Sequence, residues 1–141
     1  MSNPAISSDL IFAGVLLFFL GLLTGFAIPA ARSPRIGLSA HLTGVQSGTF
    51  LVAAGLAWPR LGGLGGWNVA VGHALWASLY ALWLSLVLAA VFGAGRGLPI
   101  AGQGITTTGG KQLIVSVLLI GGSLGAAAAV GAMLFGLGGG I

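Results

Sequence analysis

The chain has 141 residues, of which 57% are hydrophobic and 4% are charged, and its mean hydropathy is +1.10. So few charges cannot supply the polar surface that keeps a soluble domain dispersed, so the composition predicts an integral membrane protein. Five basic residues against one acidic residue, scattered between apolar runs, exclude the clustered basic face of a nucleic-acid-binding protein, and the lack of cysteine excludes disulfides and thiolate metal sites.

Four apolar stretches predict an all-α bundle of four transmembrane helices that forms a single membrane domain over residues 1–141. Each stretch is close to the length of about 20 residues that crosses the hydrocarbon core. The predicted helices cover about 10–28, 38–58, 67–92 and 112–137, and Pro29 and Pro59 end the first two.

Glycines at helical spacing occur in the first and fourth predicted helices. The first helix carries Gly14, Gly21 and Gly25, and the fourth carries Gly121 and Gly125. Small residues four apart let membrane helices approach closely, so these positions predict helix–helix contacts.

Helix 2 carries most of the chain's polar side chains near its start. Its residues at intervals of three and four form one stripe, which consists of His41, Gly44, Val45, Gly48, Val52 and Gly55. The stripe predicts an imidazole beside a groove with almost no side chains. An imidazole in a membrane helix could ligate a porphyrin iron axially. The alternative is that His41 lies at the interface and bonds a loop carbonyl, with the glycines in ordinary helix packing.

Helix 3 places His73, Trp76, Tyr80 and Trp83 on one face. This aromatic face predicts either the wall of a pocket, with Tyr80 as a proton donor, or plain helix packing. At the ends of the second loop, Trp58 and Trp67 are predicted at the membrane interface.

The third loop, residues 93–110, is long and rich in glycine, which indicates either a functional loop or simple flexibility. Arg35 and Arg96 lie at helix ends, where a guanidinium could pair with a carboxylate such as a cofactor propionate or with a lipid head group. Together with Arg32 and Lys111 they make loops one and three the more basic side, which favours both termini outside the cytoplasm.

The single carboxylate, Asp9, limits the chemistry that the chain can perform. A glycosidase needs two carboxylates, and a calcium, magnesium or di-iron site needs a cluster of them. A serine triad needs an acidic residue beside its histidine, and Asp9 near the N-terminus is too peripheral for that role. Imidazole, guanidinium, phenol, indole and hydroxyl groups remain.

Two segments carry a family resemblance. The segment Ser33–Gly44, followed by 48–59, resembles the hydroxylaminobenzene mutases, which are small bacterial membrane proteins, and the loop run Gly95–Gly102 is similar to theirs as well. The likeness extends over most of residues 10–140. The same broad group includes the styrene oxide isomerases, in which a histidine and a later glycine, here His41 and Gly48, recur at the start of helix 2.

The resemblance implies a multi-pass enzyme of the bacterial inner membrane, assembled as a homotrimer, with haem b near the subunit interface. It implies that His41 is the iron ligand, with Gly44, Gly48, Arg35 and Arg96 around the cofactor. In the isomerase relatives ferric haem acts as a Lewis acid. The implied reaction therefore converts an aryl hydroxylamine to a 2-aminophenol, without consuming electrons.

The catalytic candidates that follow are Tyr80, Trp83 and Ser47, with Trp76 in the pocket wall. Three alternatives stay open, namely an aryl epoxide isomerase of the styrene oxide to phenylacetaldehyde type, a non-catalytic haem-binding membrane protein and a cofactor-free membrane scaffold. The chain departs from the family pattern at residues that concern the substrate. Thr43 and Leu82 replace an acidic residue and an asparagine of the mutases, and Ser47 replaces a longer amide of the epoxide isomerases.

Overall fold

The computed structural model describes residues 4–107 and 109–139, and these residues form four α-helices and no strand. The helices are α1 (Pro4–Ala27), α2 (Pro34–Ala57), α3 (Asn68–Phe92) and α4 (Gly110–Gly138), with 3-10 turns at Ile28–Ala30, Trp58–Arg60 and Gly62–Trp67. The all-α prediction is confirmed. The predicted single domain also includes residues 1–3, 108, 140 and 141, which lie outside the described residues.

Three helical segments are long and apolar enough to cross a membrane, and the chain is a membrane protein. They are Pro4–Ala30, Gly62–Phe92 and Gly110–Gly138. Helix α2 is not among them, because its polar side chains lower its hydropathy. At 24 residues it is about 36 Å long, enough to cross with its neighbours, and its span stays a prediction.

Two helices begin earlier than the apolar runs predict. Helix α1 starts at Pro4 rather than near residue 10, and α2 starts at Pro34 rather than near residue 38. Proline is favoured in a first helical turn, because the N–H that it lacks has no helical partner there. In consequence His41 lies about two turns inside α2 rather than at its mouth.

The glycine stripe of α2 packs directly on the glycines of α1. A Cβ added at Gly14 would lie 2.7 Å from the Gly48 carbonyl oxygen, and one added at Gly21 would lie 2.7 Å from the Val45 nitrogen. The predicted contacts of α1 are confirmed. The predicted open groove is wrong along this line, because the backbone of α1 fills it.

Helices α3 and α4 pack through a glycine that the spacing did not select. A Cβ at Gly122 would lie 2.9 Å from the Ser78 carbonyl oxygen, and Gly125 lies against the Ser78 hydroxyl. Among the described residues, no atom comes within 4 Å of the open side of Gly121. The prediction is therefore confirmed for Gly125 and wrong for Gly121, which faces outward.

The two loop tryptophans have opposite environments. Trp67 is 74% exposed, as an interfacial tryptophan requires, whereas Trp58 is 0% exposed and belongs to the core with Ile6 and Leu61. The interfacial prediction for Trp58 is wrong, because the turn at Trp58–Arg60 directs the indole into the end of the bundle.

The third loop is folded into a series of turns. Gly93 ends α3 in the left-handed region at φ 69°, where only glycine is unstrained, and Ala94 N–H donates to the Ala89 carbonyl over 3.0 Å. Gly95 and Gly102 approach so closely that neither could carry a side chain. The loop begins beside loop one, where Ser33 N–H donates to the Ala90 carbonyl over 3.1 Å.

Candidate functional site

His41 is fixed by a hydrogen bond to the facing helix. Its Nδ1 lies 2.8 Å from the Gly21 carbonyl oxygen. A carbonyl only accepts, so Nδ1 carries a hydrogen, and Nε2 is the nitrogen with the lone pair in the neutral imidazole. Metal-binding histidines are held in this way, with one ring nitrogen donating to the protein and the other free to ligate. The partner is a helix carbonyl rather than the loop carbonyl of the alternative interpretation.

Gly25 makes room for this ring. A Cβ at Gly25 would lie 2.8 Å from His41 Nδ1 and 3.1 Å from its Cε1. The imidazole therefore lies against bare backbone of α1, where a larger residue would displace it.

An apolar groove of about 350 Å³ lies on the outer surface of α1 and α2. It is lined by Val15, Phe18, Gly48, Thr49, Val52, Ala53 and Leu56. Gly48 and Val52 belong to the same stripe of α2 as His41, but Gly48 is buried against the backbone of α1, so the stripe lies at the floor of this groove and offers no space of its own.

Gly44 likewise has no room for a side chain. A Cβ there would lie 2.7 Å from Gly21 Cα and 2.9 Å from Trp83 Cδ1. Trp83 in turn donates from Nε1 to Thr24 Oγ1 over 3.3 Å. Trp83 thus packs where α1, α2 and α3 meet, and the close approach at Gly44 brings the Gly21 carbonyl within reach of His41.

The other aromatic residues of α3 line a cavity of about 300 Å³ against α1. Its lining consists of Asp9, Phe12, Ala13, Leu16, His73, Trp76 and Tyr80. Tyr80 O–H donates to the Ala13 carbonyl over 2.8 Å, and Trp76 Nε1 donates to His73 Nδ1 over 3.0 Å. The pocket-wall interpretation is supported for His73, Trp76 and Tyr80, whereas Trp83 does not line this cavity.

Asp9 is the cavity residue that the sequence analysis missed. Its place near the N-terminus predicts a peripheral residue, yet α1 and α3 run parallel and bring it to the cavity that His73 also lines. A usable signal was present, because Asp9, Phe12, Ala13 and Leu16 recur at three and four on one face of α1.

The remaining predicted residues lie apart from His41. Ser47 is half-buried, and its hydroxyl makes no hydrogen bond with the part of the chain that the structure describes. Arg35 is exposed in the first turn of α2, and Arg96 lines a different cavity with Gln112. The roles of these three residues stay predictions.

No three histidine, aspartate or glutamate side chains come together to hold a metal ion among residues 4–107 and 109–139.

The family of the chain follows from its similarity to known proteins. A family model described as styrene oxide isomerase matches residues 6–138. The chain belongs to the styrene oxide isomerase family. As a member of that family it is an isomerase, and the predicted relationship to the hydroxylaminobenzene mutases is confirmed.

Two relatives in this family are mutases of Ectopseudomonas oleovorans. The chain is 45% identical over 138 residues to hydroxylaminobenzene mutase HabB, which covers 96% of this chain and 84% of that protein. It is 42% identical over 108 residues to hydroxylaminobenzene mutase HabA, and the match covers 76% of this chain and 80% of that protein. No solved structure matches the chain.

Proposed function

We propose that this family member is a haem-dependent isomerase of the bacterial inner membrane that rearranges an aryl hydroxylamine to a 2-aminophenol. The substrate class is supported by the identity to the two mutases over most of each protein. The observation that carries the haem proposal is the His41 hydrogen bond to Gly21, which leaves Nε2 as a free ligand in a membrane helix.

The residues around His41 suit its proposed role as the axial ligand of a haem iron. The Gly21 carbonyl fixes the ring, and Gly44 and Gly48 let α1 approach closely. Arg35, in the first turn of α2, is our proposed partner for a propionate. Haem b, when bound, would supply a Lewis-acidic iron for the substrate oxygen.

The cavity beside Tyr80 fits the aromatic part of the substrate. Because Tyr80 donates its own hydrogen to Ala13, its phenol oxygen keeps lone pairs that can accept from the N–H or O–H of a hydroxylamine. His73 accepts from Trp76 at Nδ1, so its Nε2 carries a hydrogen that can be donated. In the overall reaction the N–O bond breaks, a C–O bond forms at the ortho carbon, and the proton of that carbon is replaced by one on nitrogen.

The first test is the visible absorption spectrum of the protein purified in detergent, before and after dithionite. A Soret band is expected in the wild type and in His73→Ala, and its loss is expected in His41→Ala, which removes the ligand. A His41→Ala protein that keeps its haem would refute the assignment of the ligand. A colourless wild type after growth with ample haem would indicate a cofactor-free scaffold.

Aryl epoxide isomerisation is the second candidate, and the family model that matches residues 6–138 favours it. Assays with hydroxylaminobenzene and styrene oxide separate the two reactions. We expect 2-aminophenol to form faster than phenylacetaldehyde, and Ser47→Asn to raise the relative rate with the epoxide. Haem binding without either product would identify a non-catalytic haem protein.

A further inference from the structure

The cavity between α1 and α3 contains the only carboxylate of the sequence. Asp9 lines it from the second turn of α1, opposite His73, Trp76 and Tyr80 of α3. Among the described residues, no arginine or lysine lines this cavity. The Asp9 carboxylate also makes no hydrogen bond or ion pair with the part of the chain that the structure describes. Its negative charge is therefore not balanced by a cation of the protein.

His73 does not balance this charge either. Its Nδ1 accepts a hydrogen bond from Trp76 Nε1 over 3.0 Å. An imidazolium has a hydrogen on both ring nitrogens and cannot accept, so the ring that accepts from Trp76 is neutral. The charge of the cavity is thus the charge of Asp9 alone.

The hydrogen bonds of the cavity wall leave more acceptors than donors for a ligand. Tyr80 O–H donates to the Ala13 carbonyl over 2.8 Å, and the Trp76 N–H donates to His73. Among the lining side chains, His73 Nε2 is the one donor that remains. The Asp9 carboxylate and the Tyr80 oxygen can both accept. A ligand that carries N–H groups therefore fits this wall better than a ligand that carries only acceptors.

Aromatic rings surround the carboxylate. Trp76 packs edge to face on Tyr80, with ring centres 5.8 Å apart, and on His73, with ring centres 6.2 Å apart. Phe12 adds a ring from α1 that is 72% exposed. Aromatic faces attract cations, and a volume of about 300 Å³ holds a ligand with one ring. Charge and aromatic surface favour the same class of ligand, an arene with an amine.

We propose that Asp9 makes this cavity selective for aryl ligands that carry an amine, above all a cationic one, and selective against aryl carboxylates. The aromatic ring lies against the side chains of α3, and an N–H of the ligand donates to the Asp9 carboxylate. Where the ligand is a substrate, the inference rests on the proposed function. Asp9 is then a specificity-determining residue, which favours aryl hydroxylamines with an amine on the ring over those with a carboxylate.

The first test measures ligand binding without turnover, by fluorine NMR titration of the protein in detergent near neutral pH. The ligands are 4-fluorobenzylammonium, 4-fluorobenzyl alcohol and 4-fluorobenzoate, which share a ring and differ in charge. The wild type should bind the ammonium ion roughly threefold to tenfold more tightly than the alcohol, as expected for one partly exposed charge contact. The benzoate should bind more weakly than the alcohol.

Variants of Asp9 separate charge from shape. Asp9→Asn should lose the preference for the ammonium ion and keep the affinity for the alcohol, whereas Asp9→Glu should keep the preference. Lys111→Gln is the control and should behave as the wild type, because Lys111 lies beside Phe92 at the opposite end of α3. An Asp9→Asn protein that still prefers the ammonium ion would overturn the proposal. Loss of alcohol binding in that variant would overturn it too, since Asp9 would then support the shape of the cavity.

The second test measures kcat/KM for two aryl hydroxylamines, one with a para aminomethyl group and one with a para carboxylate. The wild type should prefer the first, and Asp9→Asn should reduce the ratio of the two values towards one. An unchanged ratio in Asp9→Asn would show that Asp9 does not determine specificity. If no aminophenol forms from either compound, the proposed function fails, and the binding titrations still decide the role of Asp9.

Discussion

Trp83 is held between three helices by a short chain of hydrogen bonds. Its indole N–H donates to Thr24 Oγ1 over 3.3 Å, and the Thr24 hydroxyl donates to the Leu20 carbonyl over 2.8 Å. In an apolar bundle with few alternative partners, an indole N–H that loses its acceptor stays unpaired. Thr24 therefore stabilises Trp83 and the junction that brings α1 to His41.

Thr24→Val should destabilise the protein, because it keeps the shape of the side chain and removes the acceptor of Trp83. The expected loss in the free energy of unfolding is about 1–3 kcal/mol. Denaturant unfolding in detergent micelles measures it. Thr49→Val is the control, since Thr49 makes the same bond to a carbonyl of its own helix but is exposed. Equal stability of the two variants would contradict the role of Thr24.

Tyr80→Phe tests the aromatic cavity. The variant keeps the ring and removes the phenol oxygen that accepts from the substrate, so kcat/KM for hydroxylaminobenzene should fall roughly tenfold, as for one lost hydrogen bond. The Soret band should be unchanged. Trp67→Phe, at a residue that is 74% exposed, serves as control and should keep full activity. An unaltered rate in Tyr80→Phe would remove this residue from the site.

At the scale of helices, the contact of α1 with α2 depends on glycines that leave no room for a methyl group. A Cβ at Gly48 would lie 2.7 Å from the Gly14 carbonyl oxygen and would also meet the Phe18 nitrogen. Backbone atoms cannot move aside as a flexible side chain can, so the helices would have to separate.

Gly48→Ala should therefore cost about 1–3 kcal/mol of unfolding free energy, the usual range for an overpacked contact. Gly121→Ala is matched in chemistry, and its Cβ would meet no atom within 4 Å, so stability should stay the same or rise slightly. Thermal unfolding of both variants in one detergent makes the comparison. A tolerant Gly48→Ala would show that α1 and α2 are less tightly packed than the structure indicates.

The spacing of residues along one helix predicts which face of that helix packs on other helices or lines a cavity, and little beyond that. It predicted that the glycines of α2 lie on one face and that His73, Trp76 and Tyr80 share a face of α3, but it put His41 nearer the start of its helix than the structure does. It could not choose between Gly121 and Gly122, because both stand three or four residues from Gly125 and such spacings share a face. It also missed the Gly21 carbonyl as the partner of His41, since a backbone acceptor on another helix leaves no trace in residue type.

For the whole molecule, the distribution of charge predicts an orientation. Arg32, Arg35, Arg96 and Lys111 lie at one end, which the positive-inside rule assigns to the cytoplasm. The chain contains no cysteine, so a single introduced thiol can be labelled without background.

Gly62→Cys should react with a membrane-impermeant maleimide in intact spheroplasts, because the second loop is expected outside. Thr107→Cys should react only after the membrane is permeabilised. Labelling in the reverse order would invert the orientation. The homotrimer that the family resemblance implies can be checked by the mass of the detergent-free complex, which should be three times that of the 13.9 kDa chain plus any bound haem.

The contact of His41 with Gly21 and Gly25 has a consequence for protein engineering. The hydrogen bond that fixes the imidazole comes from a carbonyl on α1, and the room for the ring comes from a missing side chain on the same helix. A designer who moves the site into another helical scaffold would have to transfer the two glycines together with the histidine. A histidine transferred without these glycines would keep its imidazole group, but the orientation of the ring would no longer be fixed.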